Sequence, residues 1–195
     1  MGAYSPVPQF KQKDIDEAVA SVLQPTAEAM LAEGRPLTGI LYAGLMMTDL
    51  GPKVIEFNVR FGDPETQVVL PRLESDLIDA IETLLDNRSP QLHWTEEAIV
   101  GIVMASKGYP KAYENGAVIE GLGQVDQDAL LFHAGTKKVK EQWQTNGGRV
   151  LLIAARGDTI SVAQEKAYRS IKTIHCPQLF YRSDIAKKAI SNAFS

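Results

Sequence analysis

The sequence predicts an α+β fold: a first part built of antiparallel strands with flanking helices, then a smaller β-rich unit that ends in helices. One observation is the run Val54–Phe61, in which apolar and polar side chains alternate as they do along a strand. The other is a change of pattern near residue 90, beyond which short apolar runs are separated by turn residues. We therefore predict two domains, 1–90 and 91–195.

In the first part, Lys13–Gly34 has helical spacing, with Pro25 kinking or restarting the helix and Gly34 ending it. Thr38–Met47 is apolar on both faces, which predicts a strand buried on both sides. A turn cluster at Asp49–Pro52 then predicts an antiparallel hairpin with the next strand.

That next strand has two chemically different faces. Ile55, Phe57, Val59 and Phe61 form the expected core face, whereas Glu56, Asn58 and Arg60 point the other way. After the Gly62–Pro64 corner, Asp63 is predicted to cap an amphipathic helix that continues to about Asp86.

The second part contains four predicted strands, a helix over Ser161–Lys172 and a last helix over Ile185–Ile190 capped by Asp184. The strands are Ala98–Ala105, Gly116–Glu120, Ala129–Ala134 and Arg149–Ala155.

Composition excludes several classes of protein. A net charge of -4 and a pI near 5.4, with no basic run, argue against nucleic-acid binding. No stretch of about 18 apolar residues predicts a membrane span, and the start lacks a signal-peptide pattern. The single Cys176 fits a reducing compartment, so we expect a cytoplasmic protein without membrane or nucleic-acid partners.

The polar strand face is the first candidate site. Carboxylate and amide oxygens at Glu56 and Asn58 suit one divalent ion, and Arg60 can pair with phosphate. A solvated edge strand or a structural row of charges is the alternative. Asp63 has two compatible interpretations, as a helix cap and as a group at the mouth of the same site.

A second candidate lies where one strand ends and another begins. His133, Thr136 and Lys137 would meet Arg149 if the two strand ends are adjacent, and nearby glycines would allow close approach to a phosphate. Ordinary loop chemistry is the alternative for each residue. Neither a G-x-x-x-x-G-K-[ST] nor a G-x-G-x-x-G phosphate loop occurs in the sequence.

Three stretches carry a resemblance to a known family: Gly2–Pro6, Thr38–Met46 and, above all, Glu56–Gln67, which reads EFNVRFGDPETQ. Together with His133–Thr136 and Gly147–Val150, they resemble phosphoribosylamine-glycine ligase, an ATP-grasp enzyme of purine synthesis. The resemblance covers essentially the whole chain, and the RFGDPETQ run is its most specific part.

The resemblance implies the C-terminal part of an ATP-grasp domain followed by the C-terminal domain of that ligase. It implies joining of glycine to 5-phosphoribosylamine, with ATP as co-substrate cleaved to ADP and phosphate through an acyl phosphate. Metal ligands for Mg²⁺ or Mn²⁺ fall on Glu56 and Asn58, with a catalytic role for Arg60 and Asp63. Substrate binding falls on Gly62, Asp63, His133, Thr136 and Arg149.

Members of that family are about twice this length, so the chain looks like their C-terminal half. The isolated chain is then expected to be inactive, because the adenine-binding part is missing. The full-length family is expected to be monomeric, whereas the fragment could self-associate. Another ATP-grasp carboxylate-amine ligase and a non-catalytic binding or assembly module are the alternatives.

Overall fold

The computed structural model describes residues 1–191, which form two compact units. The sheet unit comprises Met1–Val7, Pro64–Arg72 and the chain from Thr95 onward. The hairpin unit comprises Pro8–Asp63 and Leu73–Trp94. Each unit is therefore assembled from separate segments, and the predicted division at residue 90 remains a prediction about family domains. No helix within residues 1–191 is long and apolar enough to cross a membrane.

An antiparallel five-stranded sheet forms the centre of the sheet unit. Its order is β1–β4–β9–β6, with β10 also paired to β4. The strands are β1 (Gly2–Ser5), β4 (Ala98–Ser106), β6 (Ala129–His133), β9 (Arg149–Gly157) and β10 (Leu179–Phe180). The predicted strands at 98, 129 and 149 are confirmed, whereas β1 and β10 were not foreseen.

Both faces of this sheet are covered, which explains the continuous apolar runs of β4 and β9. Val100, Ile102 and Ile153 pack in the cluster that includes helix α5 (Ile160–Ile171). Their neighbours Ile99 and Leu152 pack on the opposite side around Val68, which lies on helix α3 (Thr66–Val69). The alternation of a strand therefore distributes one apolar run between two cores.

A second, three-stranded antiparallel sheet lies in the same unit, with the order β5–β8–β7. Its strands are β5 (Val118–Ile119), β7 (Thr136–Val139) and β8 (Gln142–Thr145). Strand β5 is a shortened form of the predicted Gly116–Glu120 strand, and the β7–β8 hairpin was missed.

Arg72 ties the separate segments of the sheet unit together. Its Nε donates to the carbonyl of Glu97 at 2.9 Å, NH2 donates to the carbonyl of Thr95 at 2.9 Å, and NH1 donates to Ser5 Oγ at 2.8 Å. The guanidinium fork thus joins the end of β1, the segment after α3 and the chain that enters β4.

The long helix predicted after the Gly62–Pro64 corner is interrupted. The helix expected from Pro64 to Asp86 is two helices, α3 and α4 (Leu77–Leu85), separated by a 3-10 turn over Leu70–Arg72 that contains Pro71. Proline cannot donate to a continuing helix. The side chain that caps α4 is Asp76, which accepts from the amides of Ile78 and Asp79. Asp63 lies three residues before the start of α3, and its predicted capping role stays a prediction.

At the C-terminus, helix α6 (Lys187–Ser191) begins later than predicted. The Asp184 carboxylate instead binds the Arg182 guanidinium through two hydrogen bonds of 2.8 and 2.6 Å. This pairing lowers the pKa of Asp184, chiefly through the side-chain hydrogen bond.

The hairpin unit starts with one continuous helical segment. Helix α1 (Gln12–Ala18) runs through a π-helical turn at Val19–Leu23 into α2 (Gln24–Ala32). The π turn comes directly before Pro25, where an α-helical ladder would clash with the proline ring. Gly34 follows the helix in the left-handed conformation, with φ of 73°, so the predicted end is confirmed.

The predicted hairpin is present as β2 (Tyr42–Thr48) and β3 (Gly51–Asn58), paired from Tyr42–Asn58 to Thr48–Gly51. The predicted core face of β3 is wrong. A β-bulge leaves Ile55 without a partner in the ladder, and Ile55 is 65% exposed. Because the extra residue changes the alternation, Val54 and Phe57 now line the same groove beside α2. Strand β2 is half-buried and not buried on both sides.

Candidate functional site

The polar face of β3 is present and is built by Glu56 and Asn58. Asn58 Nδ2 donates to Glu56 Oε1 at 3.1 Å, so both side chains project from the same side of the strand, as predicted. Asn58 lies opposite Tyr42 and Glu56 lies opposite Gly44 in the ladder. Glu56 is exposed and Asn58 half-buried, so both reach solvent.

Gly44 makes room for the Glu56 side chain. A Cβ at position 44 would lie 3.2 Å from Glu56 Cγ, which is tighter than an ordinary van der Waals contact. The absence of a side chain therefore allows Glu56 to lie against its partner strand, beside Tyr42. The sequence analysis did not single out Gly44 or Tyr42 as site residues, although their positions opposite Glu56 and Asn58 follow once the hairpin register is known.

The remaining predicted residues of this face lie beyond the strand. Strand β3 ends at Asn58, so Arg60 occupies a bend, and its NH1 donates to the adjacent Phe61 carbonyl at 2.9 Å. Gly62 is buried and Asp63 is exposed in the turn that follows. The prediction that Arg60 shares the strand face with Glu56 is therefore wrong, because the strand stops two residues earlier.

In the sheet unit, His133 and Thr136 are brought together. His133 Nδ1 lies 2.9 Å from Thr136 Oγ1 across the β6–β7 connection. The imidazole also stacks on the Trp143 ring, with centroids 4.2 Å apart. Desolvation lowers the pKa of His133, although the side chain keeps substantial access to solvent. The sequence analysis did not place Trp143 beside His133, because it did not predict the β7–β8 hairpin on which Trp143 lies.

The two strand ends on which the second candidate site depends are adjacent, whereas the convergence of their side chains stays a prediction. The Gly135 amide donates to the Arg149 carbonyl at 2.8 Å, and the Asn146 amide donates to the Gly135 carbonyl at 2.8 Å. The glycines serve this backbone contact: a Cβ on Gly135 would meet the Arg149 carbonyl oxygen and Gly147 Cα, each at 2.7 Å. Arg149 NH1 lies 3.8 Å from Met1 Sδ.

Metal-ligand chemistry is limited to a small donor set. Within residues 1–191, no group of three or more His, Cys, Asp or Glu side chains could hold a metal ion. Glu56 and Asn58 nevertheless fit the way Mg²⁺ is often bound, by one or two protein side chains together with phosphate oxygens and water. Rotation of the Asn58 amide would present its oxygen on the side where Nδ2 now donates.

The fold defines the class of protein first. A solved structure of the 2-oxoglutarate carboxylase biotin carboxylase domain from Hydrogenobacter thermophilus matches with a TM-score of 0.64, covering 91% of this chain and 39% of that one. At 10% sequence identity, this likeness shows the fold alone. The chain therefore has the mixed α/β architecture found in ATP-grasp proteins, and the fold class predicted from sequence is confirmed.

Family models then identify the chain more closely. Residues 1–66 match the ATP-grasp (A) domain of phosphoribosylglycinamide synthetase, and residues 99–188 match its C domain. A curated phosphoribosylamine-glycine ligase from Halalkalibacterium halodurans is 58% identical over 191 residues, which cover 98% of this chain. The chain belongs to the phosphoribosylamine-glycine ligase family, so the resemblance seen in the sequence is confirmed.

A solved structure shows the same relationship. Phosphoribosylamine-glycine ligase from Thermotoga maritima has a TM-score of 0.84 and 32% identity, covering 95% of this chain. The match spans 46% of that chain, and the Halalkalibacterium match spans 45% of the curated relative. The chain thus corresponds to somewhat less than half the length of the relatives it matches.

Proposed function

We propose that this chain is the C-terminal portion of a ligase that joins glycine to 5-phosphoribosylamine while ATP is cleaved to ADP and phosphate. The observation that carries the proposal is the Glu56–Asn58 pair, which lies on one solvent-accessible strand face of this chain, within the part that matches the family's ATP-grasp domain. The names of the relatives support the ligase activity and the glycine substrate.

In this proposal Glu56 and Asn58 hold Mg²⁺ or Mn²⁺ through one carboxylate and one amide oxygen. When bound, such an ion would neutralise phosphate charge on the nucleotide. The Hydrogenobacter biotin carboxylase domain was solved in complex with MgADP, which supports magnesium-nucleotide binding in this fold. Gly44 and Tyr42 contribute by leaving room for Glu56 and by flanking it on the partner strand.

Arg60 and Asp63 would act at the same end of the hairpin. The Arg60 side chain is exposed, and beyond its bond to the Phe61 carbonyl it has no other hydrogen-bond acceptor among residues 1–191. Its free N–H groups are suited to phosphate or acyl phosphate oxygens. Gly62 and Asp63 would bind the glycine or amine substrate.

For the sheet unit, the proposal assigns substrate binding to His133, Thr136 and Arg149. The His133–Thr136 contact gives one hydroxyl and one imidazole at the exposed end of β6. The proposal further includes a monomeric enzyme in the cytoplasm without nucleic-acid or membrane partners.

The test uses an enzyme in which this chain is joined to the remaining part of the Halalkalibacterium relative. Glu56→Gln should raise the Mg²⁺ concentration needed for half-maximal turnover at least tenfold, because a neutral amide replaces the carboxylate. Glu165→Gln, which changes an exposed carboxylate on α5, should leave that concentration unchanged.

Two results would contradict the proposal. An unchanged metal dependence in the Glu56 variant would remove that residue from the metal site. If the rate of ATP cleavage were the same with and without glycine, the ligase assignment itself would be refuted.

A further inference from the structure

A cavity lies at the C-terminal end of β4 in the sheet unit, and its lining includes none of the residues assigned above. Its volume is about 460 Å³, which is within the range of small-molecule sites. The lining comes from the loop after β4 and from the residue before β10: Lys107, Ala112, Tyr113, Glu114 and Gln178. The Lys107 amide donates to the Gln178 carbonyl at 2.8 Å, so a backbone hydrogen bond joins the two segments.

The loop that forms most of the cavity wall is held by its own contacts. The Tyr109 amide donates to the Ser106 carbonyl at 3.0 Å, and the Lys111 amide donates to the Gly108 carbonyl at 2.8 Å. The Tyr113 ring lies beside the Tyr109 ring, with centroids 6.3 Å apart. The wall is therefore formed before a ligand arrives, which lowers the entropic cost of binding.

Two opposite charges line the cavity without a partner. The Lys107 ammonium and the Glu114 carboxylate are exposed, and within residues 1–191 neither forms an ion pair or a side-chain hydrogen bond. They do not pair with each other either, so a gap separates the two groups. A ligand that carries one anionic and one cationic group can fill this gap, with its anion at Lys107 and its cation at Glu114.

The balance of charge distinguishes a zwitterion from a phosphate ester. One lysine and one glutamate give the wall no net charge, so a dianionic phosphate would gain beside Lys107 what it loses beside Glu114. The Gln178 amide adds a neutral donor and a neutral acceptor. The two charges together therefore favour a ligand with separated charges of opposite sign.

The rest of the wall is apolar. Tyr113 is 40% exposed, and Ala112 lies next to it in the lining. An exposed aromatic ring packs favourably against another ring or an alkyl group. Glycine has no side chain to cover this ring and would leave most of the cavity to water. The cavity is thus suited to an amino acid with a bulky apolar side chain.

We propose that this cavity binds a free α-amino acid with a bulky apolar side chain. The ligand carboxylate pairs with Lys107, its ammonium pairs with Glu114, and its side chain packs on Tyr113. Both ion pairs form in an open cavity and each contributes little, so the dissociation constant should be about 1 mM. Binding requires neither a metal ion nor a nucleotide, so its failure is distinguishable from a failure of the proposed ligase function.

The experiment titrates the isotope-labelled chain with L-phenylalanine and follows the amide chemical shifts by NMR. The amides of Ala112, Glu114 and Gln178 should shift along one saturating curve. Two further ligands separate the charges from the ring. N-acetyl-L-phenylalanine amide carries the ring without either charge, and glycine carries both charges without the ring, so each should bind at least tenfold more weakly than L-phenylalanine.

Variants of the lining test the two charges separately. Lys107→Met and Glu114→Gln should each weaken the binding of L-phenylalanine at least threefold, because each removes one ion pair. Lys111→Met and Glu120→Gln are the matched controls, since both side chains are exposed and lie outside the lining. The controls should leave the affinity unchanged. The amide spectrum of each variant also shows whether the chain is folded, so lost binding is not confused with lost structure.

Four results would overturn the proposal. The first is the absence of a saturating shift at the three amides, and the second is equal affinity for the uncharged analogue. The third is an equal effect of the lining variants and the control variants. The fourth is binding of inorganic phosphate at least as tight as that of L-phenylalanine, which would make the cavity an anion site.

Discussion

Asn58 Nδ2 donates to Glu56 Oε1 over 3.1 Å, which fixes two polar side chains on one side of a strand that buries almost nothing. The pair is held by the hairpin register and not by a surrounding core. Substitutions there can therefore separate chemistry from folding.

The first prediction concerns the stability of Glu56→Gln in the isolated chain. Glu56 is exposed, and a glutamine at this position can still accept the hydrogen bond from Asn58 Nδ2 through its amide oxygen. We therefore expect the free energy of unfolding to change by less than about 0.5 kcal/mol. Urea denaturation measures this change. A loss above about 1 kcal/mol would mean that Glu56 supports the fold and would complicate its use as a metal-site probe.

Arg72→Met should be strongly destabilising. The variant leaves the Glu97 and Thr95 carbonyls without their donor, and we expect a loss of about 3 kcal/mol from hydrogen bonds to a charged group. Arg88→Met is the matched control, because Arg88 pairs with Asp86 at the surface, where the two side chains are 67% and 66% exposed. That ion pair should contribute less than about 1 kcal/mol. Equal losses in both variants would refute the role given to Arg72.

Two buried serines should respond with opposite signs. Ser170 Oγ is buried without a hydrogen-bond partner in the described part of the chain, so Ser170→Ala should stabilise by about 1 kcal/mol. Ser106 Oγ donates to the Gly147 carbonyl at 2.8 Å, so Ser106→Ala should destabilise by about 1 kcal/mol. Thermal unfolding compares the pair, and a stabilising Ser106→Ala would contradict the assignment of the bond.

The titration of His133 should report its contact with Trp143. Because desolvation lowers the pKa of His133, its proton signals should titrate below about 6.5. The folded state then binds the proton less readily than the unfolded chain. The contribution of neutral His133 to the free energy of unfolding is therefore fully present above about pH 6.5. It is lost as the pH falls from that value to the lower pKa of the folded state.

Trp143→Leu provides the control for this titration. Removal of the indole exposes the imidazole, so the His133 midpoint should rise towards the ordinary value. A midpoint that stays unchanged in the variant would show that the tryptophan does not cover the histidine, and a wild-type midpoint above about 6.5 would contradict the desolvation account.

The sheet unit was the easier part to predict from sequence. Strands β4 and β9 are long runs of apolar residues, and no helical spacing competes with that interpretation. The β7–β8 hairpin was missed because its turn residues are Lys140 and Glu141, which adopt φ of 44° and 66° without the Asn-Gly signal usual at such turns.

The errors in the hairpin unit have a different origin. Alternation along β3 was interpreted as if the ladder were regular, and the bulge at Ile55 changes which residues share a face. The helix break has a local signal in Pro71, which the interpretation of the sequence overlooked. The bridge between Leu73 and Trp94 just beyond the break joins residues distant in sequence, and neither it nor the bulge leaves a local signal.

The candidate site residues also divide into those that local strand geometry predicts and those that depend on strand pairing. Glu56 and Asn58 are two apart within a strand, so their shared side could be inferred from local geometry. Tyr42, Gly44 and Trp143 reach their places through strand pairing, which a single sequence does not specify. The RFGDPETQ run identified the family although the strand ends before its arginine.

The two excursions of the chain out of the sheet unit have a practical consequence for subcloning. Met1–Val7 and Pro64–Arg72 supply β1 and α3 to a unit whose remainder starts at Thr95. No single cut yields a complete domain: a fragment starting near residue 95 would lack an edge strand and the helix over Val68, and would expose Ile99 and Leu152. Replacing residues 8–63 and 73–94 by short linkers would instead keep every segment of the sheet unit in one shorter chain.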